Sequence, residues 1–285
     1  MQVFRLKLFP STTGEYHKGD KDYCLKNNLA AIGWAIDENA DSIDDFINKA
    51  RKQYNNQRGF NTASKTIIEM QVGDLCWVQV KGDDYRLGKI ESDILYHPDP
   101  NNPRIGLRRK CIWKDIDFDD IPGKVISCFC GRTGTLQKIQ DISYDYCNWL
   151  YEDKQNNLKV QDIKSLLHYD DLEDLLGLYL QDKGYYILPS TNKQSTKLIE
   201  YELRDKKGNK ACIQCKIGNS TVDDELFNDE RFKDHTIFIS TISDNNYDIK
   251  GKNVKTIEID ELLSFAKTHF DILPERIKNY IKLSE

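Results

Sequence analysis

Short runs of alternating or continuous apolar residues, bounded by turn-forming residues, recur through the first half of this chain and predict β-strands. Five such strands are predicted before residue 155, at residues 3–9, 30–36, 75–80, 85–90 and 108–113. Helical spacing predicts two helices there, at residues 42–54, where Ser42 is the expected N-cap, and at residues 65–70. Many short strands with few helices predict a mainly β block that closes into a small barrel.

The apolar pattern changes after residue 155. Leu and Ile recur at helical spacing over residues 162–183, with a break near residues 168–171, and Gly184 follows as the expected glycine at the helix end. Five strands are predicted at residues 185–189, 197–204, 210–217, 236–240 and 254–259, and further helices at residues 222–232, 261–268 and 274–281. The helix, three strands, helix and strand form the order αβββαβ. We therefore predict two domains, residues 1–155 and residues 156–285.

The predicted strand at residues 210–217 carries the most informative side chains. Because side chains alternate between the two faces of a strand, Gln214 and Lys216 point the same way. An amide and an ammonium group side by side on an apolar strand indicate a functional site, since burial of polar groups is unfavourable without a partner. Cys212 and Cys215 have the spacing of a zinc motif, but positions three apart on a strand face opposite sides, so we predict no zinc site there.

Composition narrows the functional classes. The chain has 285 residues, of which 11% are aromatic, and a formal net charge of −5 at pH 7. This charge argues against a generally basic surface that coats nucleic acid, whereas a metal-dependent active site is itself acidic. The sequence has no apolar run of about eighteen residues and no signal-peptide pattern, so we expect a cytoplasmic protein without a membrane span. The eight scattered cysteines fit reduced thiols.

Glu173, Gly184-Tyr185 and Gln214-x-Lys216 occur in an order that resembles the Mrr-like restriction endonucleases of the PD-(D/E)XK superfamily, in their Gln-x-Lys variant. The resemblance implies an α/β restriction-endonuclease-like domain with an αβββαβ core. It also implies hydrolysis of phosphodiester bonds with Mg²⁺, or with Mn²⁺ as a substitute. Glu173, Gln214 and an acidic residue of the second strand would then hold the metal, and Lys216 would assist the attacking water.

The acidic residue of the second strand has two candidates. Glu200 and Glu202 lie two positions apart and are predicted on one face of the strand. The loop from Glu202 to Gly208 is close to the hairpin length of the family, so we favour Glu202 as the catalytic and metal-binding acid and keep Glu200 as the alternative. Where relatives often have a second acid, this chain has Gln214, whose neutral amide oxygen is a weaker ligand for a hard cation.

Three parts of the first block resemble PUA-like barrels, in particular the EVE domains that read nucleobases. They are Ile32-Gly33-Trp34, residues 72–77, and Gly88 with the two residues after it. The resemblance implies a PUA/EVE-like barrel that recognises nucleic acid. Four aromatic side chains are candidates for stacking a modified base, namely Trp34, Trp77, Trp113 and Tyr85. The alternative is that these rings form the core of the barrel.

Together the two resemblances are those of modification-dependent, type IV-like restriction endonucleases, which act in defence against foreign DNA. They imply a Mg²⁺-dependent endodeoxyribonuclease that binds DNA with modified bases and forms a homodimer to cut both strands. Two alternatives stay open. One is a non-catalytic reader of nucleic acid, and the other is a defence effector nuclease that RNA or a signalling nucleotide activates.

Overall fold

Two β-sheets organise the chain, one in each half. The computed structural model describes residues 1–8, 18–130, 134–140, 142–155, 157–160, 162–192, 198–217, 229–242 and 253–284. The first unit spans Met1–Val160 and the second spans Gln161–Glu285, a boundary a few residues after the predicted one. Helices accompany the strands in both units, so each is mixed α/β.

The sheet of the first unit has six strands and is a curled half-barrel. Its strands are β1 (Val3–Leu6), β2 (Leu29–Ala31), β3 (Leu75–Lys81), β4 (Asp84–Ile90), β5 (Arg108–Ile116) and β6 (Leu136–Lys138). Their order in the sheet is β2-β5-β4-β3-β1-β6, with β1 parallel to β3 and the other neighbours antiparallel. Because β2 and β6 are the two edges, the described strands form an open sheet rather than a closed barrel.

The first unit contains more helix than its sequence pattern predicts. Its described helices are α1 (Lys18–Lys26), α2 (Ile43–Gln53), α3 (Arg58–Glu69), α4 (Gly123–Phe129) and α5 (Tyr144–Tyr151). Ser42 is the N-cap of α2, as predicted, and its hydroxyl accepts a hydrogen bond from the Asp45 N–H at 3.1 Å. The strand predicted at residues 30–36 ends early, because Trp34 has a φ of +61°, which a strand does not accommodate.

Both faces of this sheet are covered. Alternation along β1 places Phe4 and Leu6 on one face, where they join a core that includes Phe60 of α3. Arg5 lies on the opposite face, where its guanidinium carbon is 5.7 Å from the ring centroid of Phe129 of α4. A sheet that helices cover on both sides buries aromatic rings that would be accessible on a one-sided sheet.

The second unit carries a five-stranded sheet. Its strands are β7 (Tyr185–Ile187), β8 (Glu202–Asp205), β9 (Lys210–Ile217), β10 (Thr236–Ile242) and β11 (Val254–Thr256), in the order β11-β10-β9-β8-β7. Strands β7, β8 and β9 are antiparallel, and β9, β10 and β11 are parallel. The described helices are α6 (Tyr169–Asp182), which packs on β7 and β9, α7 (Ile259–Thr268) and α8 (Glu275–Leu283).

Several local predictions for the second unit are confirmed. A 3₁₀ turn at Ile163–Leu166 precedes α6, which accounts for the predicted break in the helical pattern. Gly184 follows α6 with a φ of +89°, and Gly208 turns the hairpin with a φ of +83°. The helix predicted at residues 222–232 lies mostly outside the described residues, and its described end is a 3₁₀ turn at Glu230–Phe232.

The helices and the cysteines bear on two further predictions, the absence of a membrane span and the presence of reduced thiols. None of its helices is both long enough and apolar enough to cross a bilayer. The eight cysteines are free thiols. Cys212 packs in a small core with Ile237 and Ile239, whereas the thiol of Cys215 lies near the carboxyl groups of Glu173 and Glu200. The two thiols of the apparent zinc motif therefore have separate environments.

Candidate active site

Glu173 is held in place by the contact between α6 and the sheet. At the start of α6, the His168 backbone N–H donates to the Asp171 carboxylate at 2.7 Å and fixes the first turn. The Tyr201 hydroxyl donates to the Glu173 backbone oxygen at 2.9 Å. Gly177 lies under that hydroxyl, and a Cβ added at Gly177 would overlap it. The close approach fixes the helix, and with it Glu173, relative to the sheet.

A β-bulge before β8 determines where Glu200 points. The Glu200 N–H donates to the Ile213 oxygen at 3.0 Å, and the Ile213 N–H donates to the Tyr201 oxygen at 3.2 Å. Glu200 and Tyr201 therefore both lie opposite Ile213, which is the pattern of a β-bulge. Regular pairing resumes with Glu202 opposite Cys212. The extra residue interrupts the alternation, so Glu200 turns toward α6 together with Tyr201 while Glu202 faces the other side.

The carboxyl groups of Glu173 and Glu200 form a hydrogen-bonded pair. Burial, followed by the negative charge of Glu200, raises the pKa of Glu173 to about 8. Burial also raises the pKa of Glu200, and the charge of Lys216 opposes that shift. Two carboxyl groups in contact ionise together only at a free-energy cost. The pair therefore retains a proton near neutral pH unless a cation neutralises it.

Lys216 and Gln214 lie on β9 and flank Cys215, from which they alternate to the opposite face of the strand. The charge of Lys216 acts on Glu200, and the Cys215 backbone nitrogen is 3.5 Å from Oε1 of Glu200. Gln214 is fully buried, and its amide nitrogen donates to the Leu198 oxygen at 3.1 Å, two residues before Glu200. Oε1 of Gln214 has no hydrogen-bond partner among the described residues. It is a buried oxygen donor beside the segment that carries Glu200.

Glu202, the favoured acid of the second strand, lies in a different environment. Its Oε2 is 3.3 Å from Nη1 of Arg204 and 3.7 Å from Nε2 of His235. His235 is buried, and burial lowers its pKa. The alternative acid, Glu200, is therefore the one that meets Glu173, because the bulge separates the directions of two side chains that a regular strand would place together. The catalytic role of either glutamate stays a prediction.

The donor set fits a hard divalent cation. Two carboxylates and an amide oxygen are ligands of the kind that Mg²⁺ accepts, with water completing its shell. The raised pKa of Glu173 marks a group whose ionised form a cation would stabilise. In the part of the chain that the structure describes, no three His, Cys, Asp or Glu side chains are placed to hold a metal. A cation at the Glu173–Glu200 pair would therefore rely on water for its further ligands.

Two of the four candidate base-stacking rings belong to the core of the first unit. Trp77 is 0% exposed and Tyr85 is 3% exposed. Tyr85 packs edge-on against Phe129 of α4, with the ring centroids 5.4 Å apart. A ring must be reachable to stack a base, so the structure corrects the prediction for these two residues in favour of the core alternative.

Trp34 and Trp113 are partly exposed. Trp34 holds a left-handed backbone conformation, which is strained for a large side chain. The backbone of Gly106 supports it, since a Cβ added there would lie 2.9 Å from the Trp34 oxygen. The Trp34 ring packs edge-on against Phe60 at 6.0 Å, and Trp113 lies over Gly88. Trp34 and Trp113 are therefore the two candidate rings that remain partly accessible.

The structure also assigns roles to residues that the sequence pattern did not single out. Tyr201 and Gly177 position Glu173, and Asp170 and Asp174 add negative charge around it. A glycine inside an otherwise apolar helix signals close packing, so Gly177 could have been found from the sequence. The bulge at Glu200 has no comparable signal, because no glycine or proline marks it.

Comparison with known proteins finds one family model that is similar to part of the chain. Residues 10–130 match a domain of unknown function (DUF8426). The match covers less than half of the 285 residues and lies within the first unit. No protein with a curated function and no solved structure matches the chain. The chemistry of the second unit is therefore inferred from its own side chains.

Proposed function

We propose that this protein is a metal-dependent endonuclease whose active site comprises Glu173, Glu200, Gln214 and Lys216. The observation that carries the proposal is the Glu173–Glu200 carboxyl pair next to Lys216. Such a pair needs a cation to ionise fully at neutral pH, and a neighbouring ammonium group suits a reaction at a phosphate ester. The strand order of the second sheet, with α6 packed on it, agrees with a restriction-endonuclease-like core.

Each residue of the site has a separate role in this proposal. Glu173 and Glu200 would hold the cation, and Gln214 would supply a further oxygen donor on the same strand as Lys216. Bound Mg²⁺ or Mn²⁺ would neutralise charge on the phosphate and lower the pKa of a bound water. Lys216 stabilises the negative charge that develops on the phosphate oxygens and orients the water. Tyr201 holds Glu173 at the distance that the pair requires.

The proposed substrate is DNA with modified bases, and the proposed role is type IV-like restriction of foreign DNA. The half-barrel of the first unit agrees with a PUA/EVE-like reader. Its partly exposed rings, Trp34 and Trp113, offer faces on which a base extruded from the duplex can stack. Cleavage of both strands needs two active sites, so we propose that the protein acts as a homodimer.

Incubation with a panel of plasmids that differ only in base modification tests the proposal. We expect cleavage of at least one modified plasmid with Mg²⁺ or Mn²⁺, none with EDTA, and none by Lys216→Ala. Lys210→Ala is the matched control, because Lys210 is an exposed lysine on the same strand. If neither cation supports cleavage of any plasmid in the panel, the endonuclease proposal is overturned.

A non-catalytic reader is the second candidate, and Gln214 is the observation that favours it. An amide in place of a carboxylate removes one negative charge from the cation site and weakens binding of a hard cation. The same plasmid panel separates the candidates. Retention of modified DNA in a filter-binding assay, with intact plasmid in both cations, would identify a reader.

A further inference from the structure

The surface formed by the end of α2 and by α3 is locally positive, whereas the whole chain is negatively charged. Between Ala50 and Ile68 the sequence contains no Asp or Glu, although the whole chain carries a net charge of −5. The same segment contains four exposed basic side chains, Arg51, Lys52, Arg58 and Lys65. A local positive surface on a negative protein attracts a polyanion to that surface.

A shallow groove of about 600 Å³ runs along α3 within this surface. We call this groove the α3 groove, and its lining consists of two basic residues, one acidic residue at the end of the helix and four uncharged polar residues: Arg58, Lys65, Glu69, Asn56, Asn61, Thr62 and Thr66. Spacings of three and four residues place the helical members on one face. Arg58 and Lys65 lie two helical turns apart, roughly 10 Å along the axis, which corresponds to about three nucleotide steps of a DNA strand.

The charged groups of the α3 groove are available to a ligand. Arg58 makes no ion pair with any described residue, and Nζ of Lys65 is 3.8 Å from Glu69 in an exposed pair that solvent screens. Nε of Arg51 donates to Asn61 at 3.1 Å and orients that amide in the groove. Two cations with neighbouring amide and hydroxyl groups match the phosphate and sugar oxygens of a nucleic-acid backbone.

Trp34 lies at one end of the α3 groove. A Cβ added at Gly59, in the first turn of α3, would be 3.7 Å from Cζ2 of Trp34. The partly exposed indole is therefore next to the first turn of α3, which carries Arg58, rather than in a separate region of the first unit. Phosphate-binding cations beside an aromatic ring are the combination that binds a backbone and stacks a base.

We infer that the α3 groove binds the phosphate backbone of a DNA duplex through Arg58 and Lys65, adjacent to Trp34. The inference rests on the proposed recognition of DNA by the first unit, and it is independent of cleavage by the second. It differs from base recognition, because contacts to phosphate position the duplex without reading its sequence.

Fluorescence anisotropy of the full chain with a labelled DNA duplex, in EDTA to prevent cleavage, tests this inference. The salt concentration is varied between about 50 and 200 mM, and the slope of log affinity against log salt is measured. For the R58A/K65A double variant we expect weaker binding and a slope shallower by about 2, since each phosphate contact contributes about 0.9. The matched control is K26A/K81A, which removes the same charge from two exposed lysines outside the groove.

The outcomes separate this inference from the proposed nuclease. The inference about the α3 groove is overturned if R58A/K65A leaves the salt slope of DNA affinity unchanged, or if K26A/K81A changes that slope equally. This holds even if the protein cleaves DNA. A slope change that appears with an RNA duplex but not with the DNA duplex assigns the groove to RNA and also overturns it. A groove-specific change with DNA supports the inference, including in a protein that shows no cleavage.

Discussion

The carboxyl groups of Glu173 and Glu200 hydrogen-bond to each other between α6 and the bulge that precedes β8. Neither residue reaches this position through local sequence alone. Glu173 depends on the Tyr201 hydroxyl and on the close approach at Gly177, and Glu200 depends on the extra residue of the bulge. The resulting pair shares a proton near neutral pH, and we propose that a cation can take the place of that proton; the first two predictions test this exchange.

In the metal-free protein we expect stability to fall as the pH rises from about 4.5 to about 8. Below this range Glu173 is protonated in both the folded and the unfolded chain. Within it the unfolded chain releases the proton while the folded chain keeps it, so rising pH favours unfolding. Above a pH of about 8, Glu173 is ionised in both the folded and the unfolded chain, so the free energy of unfolding no longer changes with the ionisation of Glu173. Thermal midpoints measured in EDTA at several pH values test this expectation.

Glu173→Gln is the control for that measurement, because it removes the ionisation and keeps the shape of the side chain. It should flatten the fall in stability between pH 5 and pH 8. Addition of Mg²⁺ to the wild-type protein should raise the midpoint more at pH 8 than at pH 5, since the cation competes with the proton. A variant with the same pH dependence as the wild type would show that the pair is not its source.

Replacement of Glu200 by Gln should reduce cleavage by about 10²-fold or more, because it removes a charged ligand without changing the size of the side chain. Glu202→Gln makes the same chemical change two residues away, where the carboxylate faces Arg204 and His235, and should leave cleavage close to wild type. Initial rates on a cleavable plasmid compare the two. Equal loss in both variants would contradict the assignment of Glu200 by the bulge.

Gly177→Ala should destabilise the second unit by about 1–3 kcal/mol and lower cleavage, because the new methyl group overlaps the Tyr201 hydroxyl and displaces α6 with Glu173. Tyr201→Phe alone should cost about 1 kcal/mol through the lost hydrogen bond. In the double variant the overlap is relieved, so the two effects should sum to less than their separate values. Urea denaturation of the four proteins measures the coupling.

Gly19→Ala is the control for this cycle, since no atom lies within 4 Å of the added Cβ. It should leave cleavage unchanged and leave stability unchanged or raised by about 0.5–1 kcal/mol, because alanine favours a helix. Strict additivity of Gly177→Ala and Tyr201→Phe would show that the two residues do not act through one contact.

Trp34→Ala should weaken binding of DNA that carries an extruded or modified base by about 1–3 kcal/mol, the usual contribution of one stacking ring. Trp77→Phe serves as the comparison, since Trp77 is 0% exposed and its replacement should lower the thermal midpoint without changing affinity. Anisotropy titrations and melting curves of both variants are needed. Loss of affinity in Trp77→Phe alone would place the stacking surface elsewhere.

Much of the local structure follows from the sequence, because its causes lie within a few residues. Ser42 caps α2, Gly184 ends α6 and Gly208 turns the β8–β9 hairpin, as their backbone preferences predict. The alternation along β9 separates Cys212 from Cys215 and removes the apparent zinc motif. Each of these features depends on neighbours in the chain and not on distant contacts.

The burial of strand side chains and the direction of Glu200 depend on contacts with other elements, which the periodicity of a single strand does not reveal. Trp77 and Tyr85 look like accessible strand aromatics, but α4 and α5 cover that face of the sheet and bury them. Glu200 and Glu202 look equivalent by spacing, but one inserted residue turns Glu200 toward α6.

The sequence by itself determined the residue types of the site, the strand that carries Gln214 and Lys216, and the division of the chain near residue 155, because composition and periodicity are local properties. Only the tertiary structure decided which glutamate meets Glu173 and which tryptophans stay partly exposed. Both outcomes depend on packing between distant segments: a bulge is stable only against its partner strand, and a ring is buried only by what covers it.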